Sequence, residues 1–313
     1  MKWFKKKRQQ VAKALPKNSL LVLASAPEVL RQPDVSYPYR QASNFYYLTG
    51  FVEASSLFLL IPNKKSHKSI LFIPDKNPTK ETWDGVRYTT KEVKKQFLID
   101  EVFYLADLDK KLAGFLKKKS QIYYNQNNSY FNRKISQHSR KKTIAAQSLL
   151  AAFREIKDSK EVSWIQKACE VTAHAHQQIA LNLRPKMPER TLHGIFLKSI
   201  MEKGSVREGY GSIVACGNNA TTLHYIKNDS ICKSGELLLV DAGAEMHYYT
   251  ADVTRVYPVS GKFLKNQKKV YSKLLKLQKE LIQSVRPGVS MKFLNEKMEE
   301  GISKILVDLH LLP

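Results

Sequence analysis

The sequence predicts an α/β chain organised as two domains, on three observations. In the first half, short apolar runs alternate with polar stretches of helical period. Near residue 153 this texture gives way to two helical patterns and then to closely spaced strand patterns. The 313 residues are enough for two domains of ordinary size, and a 43% hydrophobic content is enough to give each a core.

In the first half the candidate strands are Ser19 to Ser25, Ser56 to Pro62, Ser69 to Pro74 and Ile122 to Tyr124. Helical patterns at Glu92 to Phe97 and Leu108 to Lys118 lie between them. Residues 125–142 are polar and basic and read as a loop followed by a surface helix. Asp158-Ser159-Lys160-Glu161 has the form of a capping box, so a helix is expected to run from there to about Leu183. Its apolar stripe would carry Val162, Ile165, Cys169, Ala173, His176 and Ile179. Pro185 and Pro188 end it, and a second helix is expected over Arg190 to Glu202, stopping at Gly204. Strands follow at Ile213 to Cys216, Leu223 to Ile226, Glu236 to Ala242 and Thr250 to Val259, then a helical pair at Gln267 to Val285 and Met291 to Leu309. The domain boundary falls between residues 145 and 157.

Composition narrows the function classes. Cys169, Cys216 and Cys232 are odd in number and scattered, with no C-x-x-C pattern, so no disulfide framework or zinc knuckle is expected. On that ground the chain is expected in a reducing compartment, the cytoplasm. Leu20 to Ala24 is too short to span a membrane, and no apolar run directly follows the basic start. The net charge of +24 includes clusters at Lys2 to Arg8, Lys117 to Lys119 and Arg140 to Lys142. With no base-reading motif, these read as solvated faces, and any nucleic-acid binding is expected to be weak and salt-sensitive.

The chemistry is concentrated in Leu237-Leu238-Leu239-Val240-Asp241-Ala242-Gly243 and Thr250-Ala251-Asp252-Val253-Thr254-Arg255. If Met246 and His247 form a hairpin turn, Asp241 faces Asp252 with Cβ atoms about 4.5–5.5 Å apart. Two carboxylates so placed beside Leu237, Leu239 and Val256 repel each other and lose hydration, unless a cation lies between them. A polar pair turned to solvent is the plainer alternative, but the apolar neighbours on that face oppose it.

Asp241-Ala-Gly followed by Asp252-x-Thr-Arg resembles the first metal-binding signature of the pita-bread metallopeptidases, a group that includes aminopeptidase P, prolidase, creatinase and methionine aminopeptidase. Ile213-Val-Ala-Cys-Gly-Asn-Asn-Ala and Leu223-His224-Tyr225 resemble that group's strand and substrate-side histidine. Tyr37-Pro-Tyr-Arg-Gln-Ala-Ser-Asn-Phe-Tyr-Tyr-Leu-Thr-Gly-Phe51 is similar to the amino-terminal domain signature of aminopeptidase P. The resemblance implies a creatinase/aminopeptidase-P-type α/β domain over 1–152, then the first half of a pita-bread (α+β) catalytic domain over 153–313. It implies metal-dependent hydrolysis of the amino-terminal Xaa-Pro bond at a two-manganese site, a peptide substrate with proline second, and a homo-oligomer. Asp241 would ligate one ion, Asp252 would bridge both, and His224 would hydrogen-bond the substrate or the tetrahedral intermediate. Trp83 resembles an aromatic lent to a neighbouring subunit's substrate site; a domain-interface anchor is the alternative. His224 read without the motif is a strand histidine packed on Tyr225. The group's later histidine and two glutamates have no match after Asp252, so the chain is expected to stop before the site is complete. That leaves a non-catalytic interaction module, with weak nucleic-acid or anionic-surface binding, as the competing reading.

Overall fold

The computed structural model describes residues 1–63, 67–117 and 119–312. They divide into two compact units, Met1–Asp158 and Ser159–Pro313. Among the described residues no helix is long and apolar enough to cross a membrane.

The first unit is built on a six-stranded mixed sheet. Its spatial order is Glu101–Tyr104, His67–Ile73, Leu57–Pro62, Ser19–Ala24, Gln121–Tyr124 and Thr143–Ile144. The central strand Ser19–Ala24 is buried along its whole length because helices cover both faces of the sheet. Leu21 and Leu23 point into one core with Phe45, Leu48, Phe51 and Phe97. Leu20, Val22 and Ala24 point into the other with Leu108, Leu112, Leu116, Phe131 and Ile135. The expected strands and helices form, with Leu108–Lys117 as the helix in place of 108–118; Lys118 lies outside the described residues. The strand Glu101–Tyr104 had no sequence expectation behind it: it is a half-buried edge strand of only four residues.

The basic start is the larger surprise. Lys2–Ala14 is a helix whose Phe4, Lys7, Arg8 and Val11 are buried, so this cluster is not simply a solvated face. The Arg8 guanidinium donates to the carbonyls of Leu48 (2.8 Å), Phe97 (3.2 Å) and Leu98 (2.6 Å). Those carbonyls end the helices Ser43–Thr49 and Thr90–Phe97 and have no partner within the helices themselves. Burial lowers the Arg8 pKa to about 10, partly opposed by the charge of Asp100. Lys7 pairs with Asp158 at 3.1 Å and lies over the Trp3 and Tyr47 rings.

In the second unit the helices Ser159–Asn182 and Glu189–Glu202 pack on one face of a three-stranded antiparallel sheet. The sheet order is Val253–Pro258, Leu237–Ala242, Ile213–Cys216. The buried stripe of the first helix is Glu161, Trp164, Ala168, Val171, Thr172, Ala175, His176 and Ile179, and Val162 is exposed. The expected stripe is therefore correct only at His176 and Ile179. Trp164, stacked on His247 and tilted against Tyr249, turns the amino-terminal half of the helix. The expected strand Leu223 to Ile226 does not form; that stretch is turn and irregular chain with Leu223 and Ile226 exposed. Cys216 and Cys232 form a disulfide with Cα atoms 5.3 Å apart, against the expectation of none. Their separation of sixteen residues carries no local signal, and the pairing removes the ground for inferring a reducing compartment. The closing helices Lys265–Ser284 and Met291–Asp308 pack on each other, and neither has a fully buried residue.

Arg8→Ala should destabilise the first unit by roughly 2–4 kcal/mol, because two buried carbonyls and one half-buried carbonyl lose a charged donor. Denaturant unfolding with a probe in that unit measures it. Lys at position 8 should not restore the loss, since it lacks the fork that reaches two helix ends.

Candidate active site

Alternation along Leu237–Ala242 positions the first carboxylate. Leu238, Val240 and Ala242 point into the helix-covered core, so Leu237, Leu239 and Asp241 share the other, half-buried face. The strand pairs with Val253–Pro258 so that Asp241 is opposite Thr254 and Ala242 opposite Val253. The hairpin beyond pairs Glu245 with Thr250 and Met246 with Tyr249, which puts His247 and Tyr248 in the turn. The expected Met246-His247 turn is thus corrected by one residue, and the register by two. Asp252 is a diagonal neighbour of Asp241 rather than its direct partner. A shift of two preserves the side of the sheet, where a shift of one would not. The two carboxylates meet at one hydroxyl: Tyr210 Oη lies 2.6 Å from Asp241 Oδ1 and 3.1 Å from Asp252 Oδ1.

Burial pushes the Tyr210 phenol well above its ordinary pKa, and the bond to Asp241 and both carboxylate charges push the same way. It therefore remains a neutral donor, and its single proton serves one aspartate at a time.

Gly243 makes this convergence possible. A Cβ there would collide with the Ala251 carbonyl oxygen, so the chain can cross at this point only without a side chain. Side chains of the Ser159–Asn182 helix hold the backbone on both sides of the crossing. Ala244 N–H donates to Thr172 Oγ1 at 2.8 Å, and His176 Nε2 lies 3.3 Å from the Ala242 carbonyl. That carbonyl can only accept, so Nε2 carries the proton, and Nδ1 accepts from the Tyr257 hydroxyl at 3.0 Å. Burial lowers the His176 pKa, with the Ala242 hydrogen bond acting against it, and the ring is neutral. In the turn His247 and Tyr248 adopt φ of +52° and +68°, the two-residue geometry that favours Asn-Gly. The Trp164–His247 stack and a 2.6 Å bond from the Tyr249 hydroxyl to Glu161 hold it.

His224 lies on an exposed turn, and among the described residues no hydrogen bond links it to either aspartate. Trp83, near the end of the Pro78–Asp84 helix in the first unit, is 85% exposed. The structure thus brings Asp241 and Asp252 together and leaves His224 and Trp83 at the surface. Tyr210, Thr172 and His176 were not anticipated as parts of the site; the only available hint was the place of His176 on a helical stripe.

Two carboxylates sharing a face suit a hard divalent cation. Among the described residues no group of three or more His, Cys, Asp or Glu forms a metal cluster. The pair fits part of a metal centre's donor set.

The family models that match the chain are the aminopeptidase P amino-terminal domain over residues 4–123 and metallopeptidase family M24 over residues 163–310. Together with the paired aspartates they define a metallopeptidase with an amino-terminal α/β domain. The Xaa-Pro aminopeptidase of Haemophilus influenzae is 32% identical over 312 residues, covering 99% of this chain and 73% of that protein. Human Xaa-Pro aminopeptidase 3 is 30% identical, covering 93% of this chain and 60% of its own length. The solved structure of Pseudomonas aeruginosa aminopeptidase PepP superposes with a TM-score of 0.95 at 32% identity, covering 99% of this chain and 73% of that one. The chain belongs to the Xaa-Pro aminopeptidase family.

Gly243→Ala should cost the second unit roughly 1–3 kcal/mol through overpacking against the Ala251 backbone, read as a lower thermal midpoint. A pH dependence follows from His176 and from His247, whose pKa burial and Lys160 also lower. Unfolded histidines titrate near about 6.5, so below that pH the unfolded chain takes up protons first. The stability these groups give is full above about 6.5 and falls as the pH drops towards their depressed folded values. Urea midpoints at pH 7.5 and 5.5 should show the loss, and His176→Gln should reduce the difference between them.

Proposed function

We propose that Asp241 and Asp252 supply carboxylate ligands to a divalent-metal centre, with manganese as the ion, that hydrolyses the amino-terminal Xaa-Pro bond of peptides. The observation that carries this reading is the meeting of both carboxylates at the Tyr210 hydroxyl on one face of the sheet. Peptide hydrolysis is the activity named for the relatives that cover most of this chain. A bound divalent ion in such a centre polarises the scissile carbonyl and makes water a nucleophile near neutral pH.

The chain's own groups do the rest. Tyr210 lies against one oxygen of each aspartate and donates to one of them at a time, which leaves their second oxygens to ligate. His176 and Thr172 hold the backbone around Gly243, so neither carboxylate drifts from the other. His224, on its exposed turn, is the donor for the substrate carbonyl. Trp83 offers an uncovered indole that suits stacking on a peptide or a proline ring, and its exposure supports a place at a contact between copies of the chain.

Calorimetric titration with Mn2+ tests the metal reading. Asp241→Ala and Asp252→Ala should each weaken binding roughly tenfold or more. Unchanged affinity in the double variant would refute the assignment. In any preparation that cleaves Xaa-Pro peptides, either substitution should abolish turnover, and His224→Ala should lower kcat.

A further inference from the structure

Residues 217–231, the stretch that carries His224, contain no regular strand. Buried Asn228 bonds back to Val214 N–H and the Ser212 carbonyl, each at 2.9 Å, and one carboxylate on a neighbouring helix gathers the rest. Glu189 is the first residue of the Glu189–Glu202 helix and is wholly buried. Its Oε1 accepts from Cys216 N–H at 2.7 Å and from Asn219 Nδ2 at 3.1 Å. Its Oε2 accepts from the Tyr225 hydroxyl at 2.8 Å and from Ser230 N–H at 2.9 Å. The Glu189 backbone N–H donates in turn to the Ser230 carbonyl. A buried carboxylate is costly unless its lone pairs are filled, and here four donors face them from Cys216 and the stretch after it, the Tyr225 hydroxyl sharing its single proton with Asp229 Oδ1 at 2.9 Å.

The four donors are spread through the loop. Cys216 opens it, Asn219 follows the first bend, Tyr225 adjoins His224, and Ser230 precedes the return to Cys232. Asn219 Nδ2 also reaches the Tyr225 hydroxyl and Ser230 Oγ, each at 3.0 Å. Tyr225 turns to Glu189, and the adjoining His224 is exposed. The Cys216–Cys232 disulfide ties the two ends of the loop and leaves its middle to side chains.

We infer that Glu189 is the positioning residue for His224: its carboxylate gathers the loop and fixes where the imidazole is presented to substrate. The inference rests on His224 acting in the proposed peptidase site. It adds a second element to that site, since the aspartates are placed by backbone register and the histidine by a buried side chain. Glutamine at 189 keeps one acceptor oxygen, and its amide opposes two of the four donors; alanine removes all four bonds.

The test uses the full chain with the disulfide intact. In Glu189→Gln the His224 imidazole resonance, assigned with His224→Gln, should shift and broaden, while resonances of the first unit stay in place. Site-resolved trypsin cleavage after Lys227 should speed up roughly tenfold or more as the loop opens. Glu189→Ala should enlarge both effects. If the Glu189 variants do not fold, Tyr225→Phe, which removes one of the four bonds and keeps the ring, is read by the same two measures and should show a smaller change. A His224 resonance unchanged in a folded variant overturns the inference, whatever the cleavage rate. If the resonance moves but Xaa-Pro hydrolysis is indifferent to His224→Ala, the positioning stands and the role of His224 fails. If hydrolysis needs His224 and the resonance does not move, the reverse holds.

Discussion

The second unit depends on a backbone crossing at Gly243. The chain leaves Leu237–Ala242, passes under Ala251 with no room for a side chain, and returns as Val253–Pro258. The pairing of the two carboxylates follows from that crossing. It sets the two-residue register that makes Asp252 a diagonal neighbour of Asp241, and it brings both to the Tyr210 hydroxyl. The neighbouring helix takes no part in the chemistry of that face. It grips Ala242 and Ala244 with one imidazole and one hydroxyl and so prevents the crossing from relaxing.

Two kinds of order meet in this unit. Asp241 sits on a regular ladder, where side-chain direction is dictated by strand period and protected by the burial of alternate residues, and Asp252 immediately precedes the ladder's partner strand. His224 sits on irregular chain, where nothing periodic fixes direction and hydrogen bonds must.

The parts legible in the sequence were those with a period or a fixed motif. Alternating apolar runs marked the strands of both units, and the Asp-Ala-Gly and Asp-x-Thr-Arg spacing marked the paired carboxylates. The unread parts each have a physical reason. A one-residue slip in the turn arose because His247 and Tyr248 take left-handed conformations that their residue types do not announce; the Trp164 stack supports them. The helix stripe from Ser159 was misphased because Glu161 and Thr172, both polar, are buried by hydrogen bonds to residues far along the chain. Leu223 to Ile226 read as a strand by apolar content, yet Leu223 and Ile226 face outward while Tyr225 is drawn in by Glu189. Tyr210 had no motif around it. Long-range polar partnerships leave no periodic trace, and these are what the sequence withheld.

The buried Arg8 couples the order of synthesis to the order of folding. Its acceptor carbonyls lie 40, 89 and 90 residues further along the chain. The first helix therefore leaves the ribosome long before two of the three groups that neutralise its burial exist, and its guanidinium has to wait in water until Phe97 and Leu98 emerge. Contacts of such sequence separation form late and slow the closure of a domain. The Lys2–Ala14 helix, though made well before its partners at Phe97 and Leu98, is thus among the last pieces of its unit to be fixed in place.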